Sequence, residues 1–280
     1  MVIPIHNGID LTARCLDSVV RSIRQPDHIV IVDDGSTDGS PTAISKRYPR
    51  VEIVEGDGNL WWGEAMNRGV HRAAVLGANV YLALNNDCTI QPTAVGNLLA
   101  AVERAGPRRV AICSQVRRWP DDNWIMSAGG RANWWWKGVA TRCWGPPSDC
   151  VNQPTTVDWF PGMGSFVQMA DYLAIGGYDS HRFPHYRADV DFSLRLRRFG
   201  CTLLYEPASV IWNDTSQTGL QIPPRASLRD VWRLATSRRS QYNLQETAPF
   251  FWRHAPKLAW PVLMATYYGS VARALVRKWR

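Results

Sequence analysis

Oxygen-bearing side chains recur in short clusters, each placed where a run of apolar residues stops. Asn85, Asn86 and Asp87 end the stretch VYLALNND, and Asp33 and Asp34 end HIVIVDD. Carboxylate oxygens are ligands that hard divalent cations prefer, and amide carbonyls can serve beside them. Asn and Asp also favour turns, which is the structural alternative for each cluster taken alone. Several clusters at the ends of apolar runs indicate a ligand-binding site.

A second acidic pair, Asp189 and Asp191, opens the segment DVDFSLRLRRFG. Val190 and Leu194 recur at helical spacing and Gly200 is a stop, so the segment is predicted to be a helix. The helix dipole favours negative charge in the first turn, which would account for one of the two carboxylates. Two carboxylates exceed what a cap requires. A positioned carboxylate can also remove a proton from a hydroxyl group as a general base.

The elements that must position these side chains alternate along the first half of the chain. Apolar runs typical of strands alternate with helix-like segments, which predicts an α/β fold with a parallel, doubly wound sheet. The predicted strands cover residues 1–5, 28–36, 51–56, 80–87 and 109–116, and the predicted helices cover 11–23, 40–48, 63–77 and 93–106. In such sheets ligands bind outside the carboxyl ends of the strands, which is where the polar clusters fall.

The section from residue 115 to residue 160 has a different composition, rich in Trp, Gly and Pro, as in NWWWKG and CWGPPSDC. Its tryptophans either pack on the sheet within an irregular excursion or form a surface for apolar faces such as those of sugar rings. Trp61 and Trp62 present a similar choice between core packing and stacking on a ligand. Their position beside GDGN favours the pocket.

Composition narrows the class of partner. The chain has 280 residues, of which 45% are hydrophobic, and a formal net charge of +8. Such an excess suits an anionic partner, for example a nucleotide diphosphate or an acidic membrane face, and no zinc-finger spacing or long basic tract favours nucleic acid. The six cysteines form no CxxC pair, so we expect reduced thiols in a cytosolic compartment. We expect neither a cleavable signal nor a clean transmembrane helix.

Four motifs in order, VIPIHNG, VDDGSTDGS, LNNDC and ADVDFSLRLRRFG, resemble those of the inverting glycosyltransferases of family 2, which have the GT-A fold and use nucleotide-sugar donors. GDGNLWWGEAMNRG resembles the loop and helix of members that build bacterial surface polysaccharides, rhamnosyltransferases among them. GGYD and VIWNDTSQTG resemble the segments on either side of the catalytic helix. The resemblance spans residues 1–220. It implies a GT-A α/β fold, with a mostly parallel central sheet flanked by helices and a helical C-terminal extension.

The resemblance also implies roles for individual residues. Asp189 corresponds to the catalytic base. Asp87 corresponds to the metal-binding carboxylate of the DxD motif, and with Asn85 and Asn213 it would hold Mg²⁺ or Mn²⁺. The residues expected to bind the nucleotide-sugar donor are Pro4, His6, Asn7, Asp33, Asp34, Asn59, Trp61, Asn67 and Asn86. The residues expected to bind the acceptor are Trp159, Gly162 and Asp191.

Three positions depart from the pattern of that family. The first DxD residue is Asn85, the glutamate before the base is replaced by Ala188, and the histidine that helps to hold the metal is replaced by Asn213. An asparagine can still offer a carbonyl oxygen, and Asp214 is adjacent. The departures bear on metal affinity more than on the fold. They leave a non-catalytic nucleotide-binding or carbohydrate-binding protein on the same fold as the alternative to an enzyme.

The expected domains are a GT-A catalytic domain over residues 1–220 and a helical region over 221–280. The catalytic domain divides into a nucleotide-sugar half, 1–115, and an acceptor and catalytic half, 116–220. The helical region mixes aromatic with basic residues, so it is expected to lie on an anionic membrane or to pack on the catalytic domain or a second subunit.

The expected partners are a nucleotide-diphosphate sugar, a glycan or lipid-linked acceptor of cell-surface polysaccharide synthesis, an anionic membrane surface and, for a homo-oligomer, a second copy of the chain. Nucleic acid is not expected. The expected place of the protein is the cytoplasm or the inner face of the cell membrane.

Overall fold

Strands and helices alternate along the chain, of which the computed structural model describes residues 1–136, 138–217, 219 and 227–277. The strands are β1 (Val2–Ile5), β2 (Ile29–Asp33), β3 (Val51–Glu55), β4 (Val80–Ala83), β5 (Cys88–Ile90), β6 (Val110–Arg118), β7 (Ile125–Ser127), β8 (Gly130–Asn133), β9 (Gly138–Thr141), β10 (Thr155–Thr156), β11 (Ser165–Gln168) and β12 (Thr202–Asn213). The helices are α1 (Ile9–Val20), α2 (Ser40–Arg47), α3 (Trp61–Val75), α4 (Ala94–Ala105), α5 (Met169–Ala174), α6 (Ala188–Arg198), α7 (Leu228–Thr236), α8 (Leu244–His254) and α9 (Trp260–Arg277).

The strands form a mixed central sheet in the order β10-β12-β6-β11-β4-β1-β2-β3, with β5 paired to β12 and β7 paired to β6. β3, β2, β1 and β4 run parallel to one another, and β6 and β12 form a second parallel pair. β11 lies between β4 and β6 and is antiparallel to both. The predicted α/β fold with a mostly parallel central sheet is therefore confirmed, and an antiparallel strand joins its two parallel parts.

Burial on both faces explains why the central strands are continuous apolar runs. Val30, Ile31 and Val32 of β2 are fully buried, as expected for a parallel strand covered by helices on both sides. On one side α1 and α4 contribute the apolar residues of a buried cluster. On the other side α3 approaches β1 closely at Gly69, where a methyl group would overlap the side chain of Val2.

The Trp-rich middle section contains regular strands. β8 and β9 form an antiparallel hairpin outside the main sheet, and β7 adds to β6. Trp134 in the hairpin turn packs against the core, whereas Trp135 and Trp136 beside it are exposed. The tryptophans therefore divide between packing and exposure.

Cys143 and Cys150 pair as a disulfide within this section, with their Cα atoms 5.6 Å apart. The expectation of six reduced thiols is therefore wrong for this pair, because the loop after β9 returns its two cysteines to one place. The remaining cysteines are free and buried: Cys15, Cys88, Cys113 and Cys201.

The C-terminal helices pack on the same side of the sheet as α3 and α6. Phe250 and Phe251 of α8 and Leu263 of α9 belong to one buried cluster with Val2 of β1. Among the described residues no helix is long and apolar enough to cross a bilayer. The last helix was expected to be amphipathic. This expectation concerns in part residues 270–277, whose side chains lie outside the described residues.

Candidate active site

A cleft of about 860 Å³ opens at the carboxyl ends of the parallel strands. The segments that follow β1, β2, β3 and β4 all contribute to its lining. Asp34, Asp87 and Asp189, which are far apart in the sequence, meet in this one cleft. The structure therefore brings together the carboxylates that the sequence singled out.

Asp189 lies in the first turn of α6 and is held by the backbone. Its Oδ2 accepts a hydrogen bond from the Gly162 amide at 2.9 Å, and its Oδ1 accepts one from the Val190 amide at 2.8 Å. Burial raises the pKa of Asp189 above that of an ordinary aspartate, and these two hydrogen bonds oppose the rise. The result is a fixed carboxylate with an increased affinity for a proton.

Gly162 leaves room for an aromatic wall of the cleft. A methyl group at this position would overlap the Trp62 ring and come within 3.3 Å of the Asp189 Cβ. The Trp62 indole nitrogen donates a hydrogen bond to the Asn85 side-chain oxygen at 2.9 Å, and its ring meets that of Tyr178 edge to face at 5.1 Å. Gly162 therefore permits the packing that aligns Trp62 beside the candidate base.

Asp87 is a carboxylate without a cationic partner among the described residues. Burial raises its pKa, and hydrogen bonds from the Cys88 thiol and the Asn213 amide offset this only in part. The neighbouring charge of Asp214 raises the pKa of Asp87 further. Burying an unpaired charge is costly, so the site favours a cation beside Asp87.

The other two expected metal ligands are less available. The Asn85 side-chain oxygen lines the cleft but already accepts the bond from Trp62. Asn213 is 1% exposed and does not line the cleft, and its amide nitrogen donates to the Cys88 sulfur at 3.5 Å. The described residues contain no group of three or more His, Cys, Asp or Glu side chains that could hold a metal. The residues present fit a sparse site centred on Asp87.

Asp34 shapes the cleft through the loop that follows β3. Its Oδ1 accepts the amides of Gly58 and Leu60 at 2.9 and 3.1 Å, and its Oδ2 accepts the amide of Trp61 at 3.0 Å. Asp33 does not line the cleft, since its carboxylate accepts the amide of Ser36 within the turn. Asp33 is buried and stabilises its own loop in this structure, and its expected contact with the donor remains a prediction.

The segment after β1 is held in an uncommon backbone conformation. His6 Nδ1 lies 2.6 Å from the Asp34 carbonyl oxygen and donates to it, which leaves Nε2 for a ligand. Asn7 has a φ of 61° and Trp61 a φ of 56°, and both line the cleft with Pro4. Left-handed non-glycine residues store strain and cluster at functional sites. Asn86 Nδ2, which lines the same cleft, donates to the Thr12 hydroxyl at 3.1 Å.

Three further expected site residues lie outside the cleft. Asn67 bonds through its side chain to the Tyr172 hydroxyl and the Tyr178 amide, so it is a packing residue of α3. Asn59 is exposed on the loop after β3. Trp159 packs over Gly130, and its indole nitrogen donates to the Arg131 carbonyl oxygen. The donor contacts expected of Asn67 and Asn59 and the acceptor contact expected of Trp159 therefore remain predictions, for residues that do not form part of the described cleft lining.

Asp191 is fully buried, does not line the described cleft and is engaged by donors within the fold, so an acceptor could not reach its carboxylate in this structure. Its Oδ2 accepts a hydrogen bond from Arg195 at 2.8 Å, and its Oδ1 accepts bonds from Arg253 at 2.9 Å and His254 at 2.8 Å. Burial acts to raise the pKa of Asp191, but these three donors outweigh it and hold the pKa at about 2. The carboxylate joins α6 to α8.

Replacing Asp191 with Ala is expected to destabilise the fold by about 3 kcal/mol or more, because its partners would remain buried without their counter-charge. Urea unfolding at pH 7 measures this loss. The folded-state pKa of Asp191 lies below the unfolded value of ~3.9, so its contribution is present above about pH 4 and is lost as the pH falls towards 2. The control is Asp121→Asn, an exposed pair with Arg118, expected to change stability by under about 1 kcal/mol. Equal effects of the two changes would contradict the expectation.

The structure adds cleft residues that the sequence interpretation missed. His185 and Tyr186 precede α6, and Arg239 enters from the turn between α7 and α8. Burial and the charge of Arg239 lower the pKa of His185 to about 4, so this imidazole is neutral at pH 7. Trp61 lies between the His185 ring, at 5.6 Å, and the Arg238 guanidinium, at 5.7 Å. Arg238 and Arg239 stand between Ser237 and Ser240 in the sequence. Because serine favours turns, this stretch was a signal that the two arginines lie in a turn.

Comparison with known proteins supports a common family. The model of glycosyl transferase family 2 matches residues 1–148. A curated relative, the N-acetylglucosaminyl-diphospho-decaprenol L-rhamnosyltransferase of Mycobacterium tuberculosis, is 28% identical over 231 residues, which are 74% of this chain and 73% of the relative.

Solved glycosyltransferases have a similar fold. GalNAc-T7 with UDP, GalNAc and Mn²⁺ has a TM-score of 0.59 at 16% identity, over 79% of this chain and 45% of that one, so this chain spans less than half its length. The mannosyltransferase PcManGT of Pyrobaculum calidifontis with GDP-Man and Mn²⁺ has a TM-score of 0.58 at 19% identity, over 95% of this chain and 68% of that one. S. aureus TarS 1–349 has a TM-score of 0.55 at 12% identity, over 94% of this chain and 82% of that one. At these identities the likeness concerns the fold alone, and the expected GT-A fold is confirmed.

The residues that the family model matches make up just over half of the chain, and they supply the segments after β1, β2, β3 and β4 that line the cleft. The chain therefore belongs to glycosyl transferase family 2 and is a glycosyltransferase of the GT-A fold.

Proposed function

We propose that this glycosyltransferase moves a sugar from a nucleotide-diphosphate sugar to a hydroxyl group of a glycan or lipid-linked acceptor, with inversion, in cell-surface polysaccharide synthesis. The observation that carries the proposal is the convergence of Asp34, Asp87 and Asp189 on one cleft. Its volume is within the ~300–1,000 Å³ typical of small-molecule sites. The M. tuberculosis relative is named for rhamnosyl transfer and a diphospho-decaprenol compound, which supports a lipid-linked acceptor.

Asp189 is the proposed general base. Its raised pKa and its fixed orientation suit removal of the proton from the acceptor hydroxyl. The freed oxygen bonds to the anomeric carbon of the donor sugar while the bond from that carbon to the diphosphate oxygen breaks. A single displacement from the opposite face inverts the anomeric configuration. Gly162, which positions Asp189 through its amide, is the proposed acceptor-side contact.

The cleft is acidic although the whole chain carries a charge of +8. The carboxylates in its described lining are Asp10, Asp34, Asp38, Asp87 and Asp189. Asp34 and Asp38 accept hydrogen bonds from backbone amides, which offset part of their charge. The site would still repel an anionic diphosphate unless cations accompanied it. We therefore infer that cations on the protein and in solution are both needed for donor binding.

A divalent cation, Mg²⁺ or Mn²⁺, is the proposed cofactor, held by Asp87 with the Asn85 oxygen as its neighbour. Mg²⁺ commonly binds one or two protein carboxylates together with substrate phosphates and water, and the half-buried Asp87 carboxylate at the cleft wall matches such a site. Such a cation would stabilise the charge that develops on the leaving diphosphate. The Mn²⁺ in the structures of GalNAc-T7 and PcManGT supports this proposal.

Arg239 is the proposed protein cation for the diphosphate. Within the described lining it is the one Arg or Lys, and it has no carboxylate partner among the described residues. A guanidinium offers several donors in a planar fork that matches phosphate oxygens. The nucleoside and sugar would then contact the other proposed donor residues that line the cleft: Pro4, His6, Asn7, Asp34, Trp61 and Asn86.

Replacing Arg239 with Met is expected to lower kcat/KM for the donor by about 10- to 100-fold, the loss of one or two charge-assisted hydrogen bonds. Arg239→Lys keeps the charge and should recover part of the loss. Steady-state kinetics with varied donor measure both effects. The control Arg233→Met removes an exposed arginine of α7 outside the cleft and should leave kcat/KM unchanged. An unaltered kcat/KM in Arg239→Met would remove Arg239 from donor binding.

We also propose that residues 1–220 form the catalytic domain, with donor and acceptor halves at 1–115 and 116–220, and that residues 221–280 complete the donor side. Arg239 in the cleft and the bonds of Arg253 and His254 to Asp191 support this role for the C-terminal region. Its removal should therefore impair donor binding as well as stability.

The decisive experiment is a screen of nucleotide-sugars by thermal shift, with and without Mn²⁺, followed by product analysis. A ligand that binds the native state raises its melting temperature. We expect a shift with one donor class that depends on Mn²⁺, and a product whose anomeric proton coupling shows inversion. A shift without transfer to any glycan or lipid-linked acceptor would favour the non-catalytic binding protein. A product with retained configuration would exclude the single displacement.

A further inference from the structure

A group of exposed apolar side chains lies on the C-terminal side of the molecule. Trp135, Trp136, Trp252, Leu258 and Val262 are exposed by 56, 67, 55, 85 and 41% respectively; we call them the tryptophan face. None of them lines the cleft. Single exposed apolar residues are ordinary, but a contiguous group marks an interaction surface.

The hairpin of β8 and β9 is fastened to the C-terminal helices, so its exposed tryptophans belong to the same surface as α8 and α9. The Trp134 ring stacks on the His254 ring with centroids 6.0 Å apart. Gly138 allows close contact with Phe251, whose ring a methyl group would overlap. The Thr266 hydroxyl of α9 lies 3.2 Å from the carbonyl oxygen of Trp136. The turn that carries Trp135 and Trp136 is therefore fixed beside α9, one helical turn from Val262.

Trp252 at the end of α8 lies beside the start of α9 and the turn between the two helices. The Trp252 ring meets the Trp260 ring edge to face at 6.1 Å. The Lys257 ammonium lies 4.0 Å from the centroid of the Trp252 ring. Leu258 follows directly and is the most exposed member of the face. A lysine interleaved with tryptophan and leucine is the composition of a membrane-interface segment.

The charge of the segments that build the tryptophan face is of one sign. Residues 129–145 contain two arginines and one lysine, residues 247–269 contain Arg253 and Lys257, and neither segment contains Asp or Glu. Arg131 and Arg253 pair with carboxylates of other segments, whereas Lys257 has no carboxylate partner among the described residues and lies over the Trp252 ring. A second copy docked by the same patch in two-fold symmetry would bring like charges together. An anionic surface complements Lys257 and the exposed tryptophans instead.

We propose that the tryptophan face docks the protein on the surface of an anionic lipid bilayer. Trp135, Trp136 and Trp252 lie at the level of the headgroups, where indole rings are favoured. Lys257 lies among the anionic headgroups, and Leu258 and Val262 insert below them. Docking does not depend on the transfer reaction. It would hold the protein, and with it the cleft, at the membrane where the proposed lipid-linked acceptor is found.

Co-sedimentation of the full-length chain with sucrose-loaded vesicles tests the proposal without donor or acceptor. We expect strong binding to vesicles of phosphatidylcholine with phosphatidylglycerol and weak binding to phosphatidylcholine alone. Trp135→Ser combined with Trp136→Ser should lower the partition coefficient by about tenfold or more. Lys257→Glu should lower it by about fivefold or more on anionic vesicles, less at high salt, and little on neutral ones.

Ile23→Ser is the matched control, because Ile23 is 79% exposed and follows α1 on the opposite side of the sheet. Its partition coefficient should equal that of the unaltered chain. An unchanged melting temperature shows that the Trp135/Trp136 variant is folded. Equal vesicle binding by that variant and the unaltered chain, or no binding by either, would overturn the proposal. So would a dimer, measured by light scattering, that the double change converts to monomers while vesicle binding is absent.

Discussion

Replacing Asp189 with Asn is expected to lower the rate of transfer by ~10²–10⁴, the usual contribution of a general base, while the affinity for the donor changes little. Asparagine keeps the size of the side chain and one oxygen that can accept the Gly162 amide, but it cannot take a proton. Single-turnover rates with saturating donor measure the first effect, and the donor-induced shift in melting temperature measures the second.

The pH dependence of the rate gives an independent test of Asp189. Because burial raises its pKa above the ordinary 3.8 of an aspartate, the rate should fall on the acid side at a higher pH than an exposed carboxylate would produce. The base is active when deprotonated, so activity is present above this pKa and is lost below it. The residual activity of Asp189→Asn should lack this acid limb.

The matched control for Asp189 is Asp158→Asn. Asp158 lies outside the cleft, where it pairs with Arg197 at 3.1 Å and accepts the amide of Ala132 at 2.9 Å, so Asp158→Asn should leave the transfer rate within about twofold even if it lowers stability by about 1 kcal/mol. Normal turnover by Asp189→Asn would remove Asp189 from the role of base. A loss of donor binding in that variant would assign it to the donor site instead.

Replacing Asp87 with Asn is expected to abolish the Mn²⁺-dependent part of donor binding and to lower transfer by about 100-fold or more, because a bound metal contributes several kcal/mol to the stabilisation of the charge that develops on the leaving group. Chelation of the metal in the unaltered protein should have the same effect on transfer. Donor titrations with and without Mn²⁺, followed by the shift in melting temperature, measure the dependence.

The same change should make the metal-free protein more stable at neutral pH. The folded-state pKa of Asp87 is raised by burial, so its charged form destabilises the fold above that pKa, and the difference from Asp87→Asn should vanish as the pH falls below the ordinary pKa of aspartate. Such an opposition between stability and function is common in binding sites.

Asp214→Asn is the control for Asp87→Asn, because it should change the stability of the metal-free protein in the opposite direction. The hydrogen bond from Arg14 lowers the pKa of Asp214, so its charged form stabilises the fold and its removal should lower the melting temperature. If Asp87→Asn kept full Mn²⁺-dependent donor binding, the metal would have to be held by other groups. If it lowered the stability of the metal-free protein, the carboxylate would have a structural partner.

The sequence determined the sheet and the edge at which the site lies. Apolar runs alternating with amphipathic segments leave few packings other than helices on both faces of a parallel sheet. Once that sheet is inferred, its carboxyl edge follows, and with it the neighbourhood of Asn7, Asp34 and Asp87. These inferences need only the local periodicity of apolar residues and the direction of the strands, and both can be read from the sequence.

The tertiary structure decided which polar residues face the cleft and which are used within the fold. Asp189 and Asp191 stand in one helical turn, yet the first lines the cleft and the second binds Arg253 and His254, more than sixty residues later in the chain. No local pattern distinguishes them, because a buried carboxylate is defined by its partner and that partner is distant in sequence.

The same reason applies to Arg239 and to the tryptophans. Ser237, Ser240 and Asn243 accept hydrogen bonds from backbone amides that a continuous helix would use otherwise, so α7 ends and Arg239 enters the cleft from a turn. Trp134 packs and Trp135 is exposed only because α8 lies against one side of the hairpin. The sequence names the chemical groups, and the packing of distant segments decides which of them remain free to act.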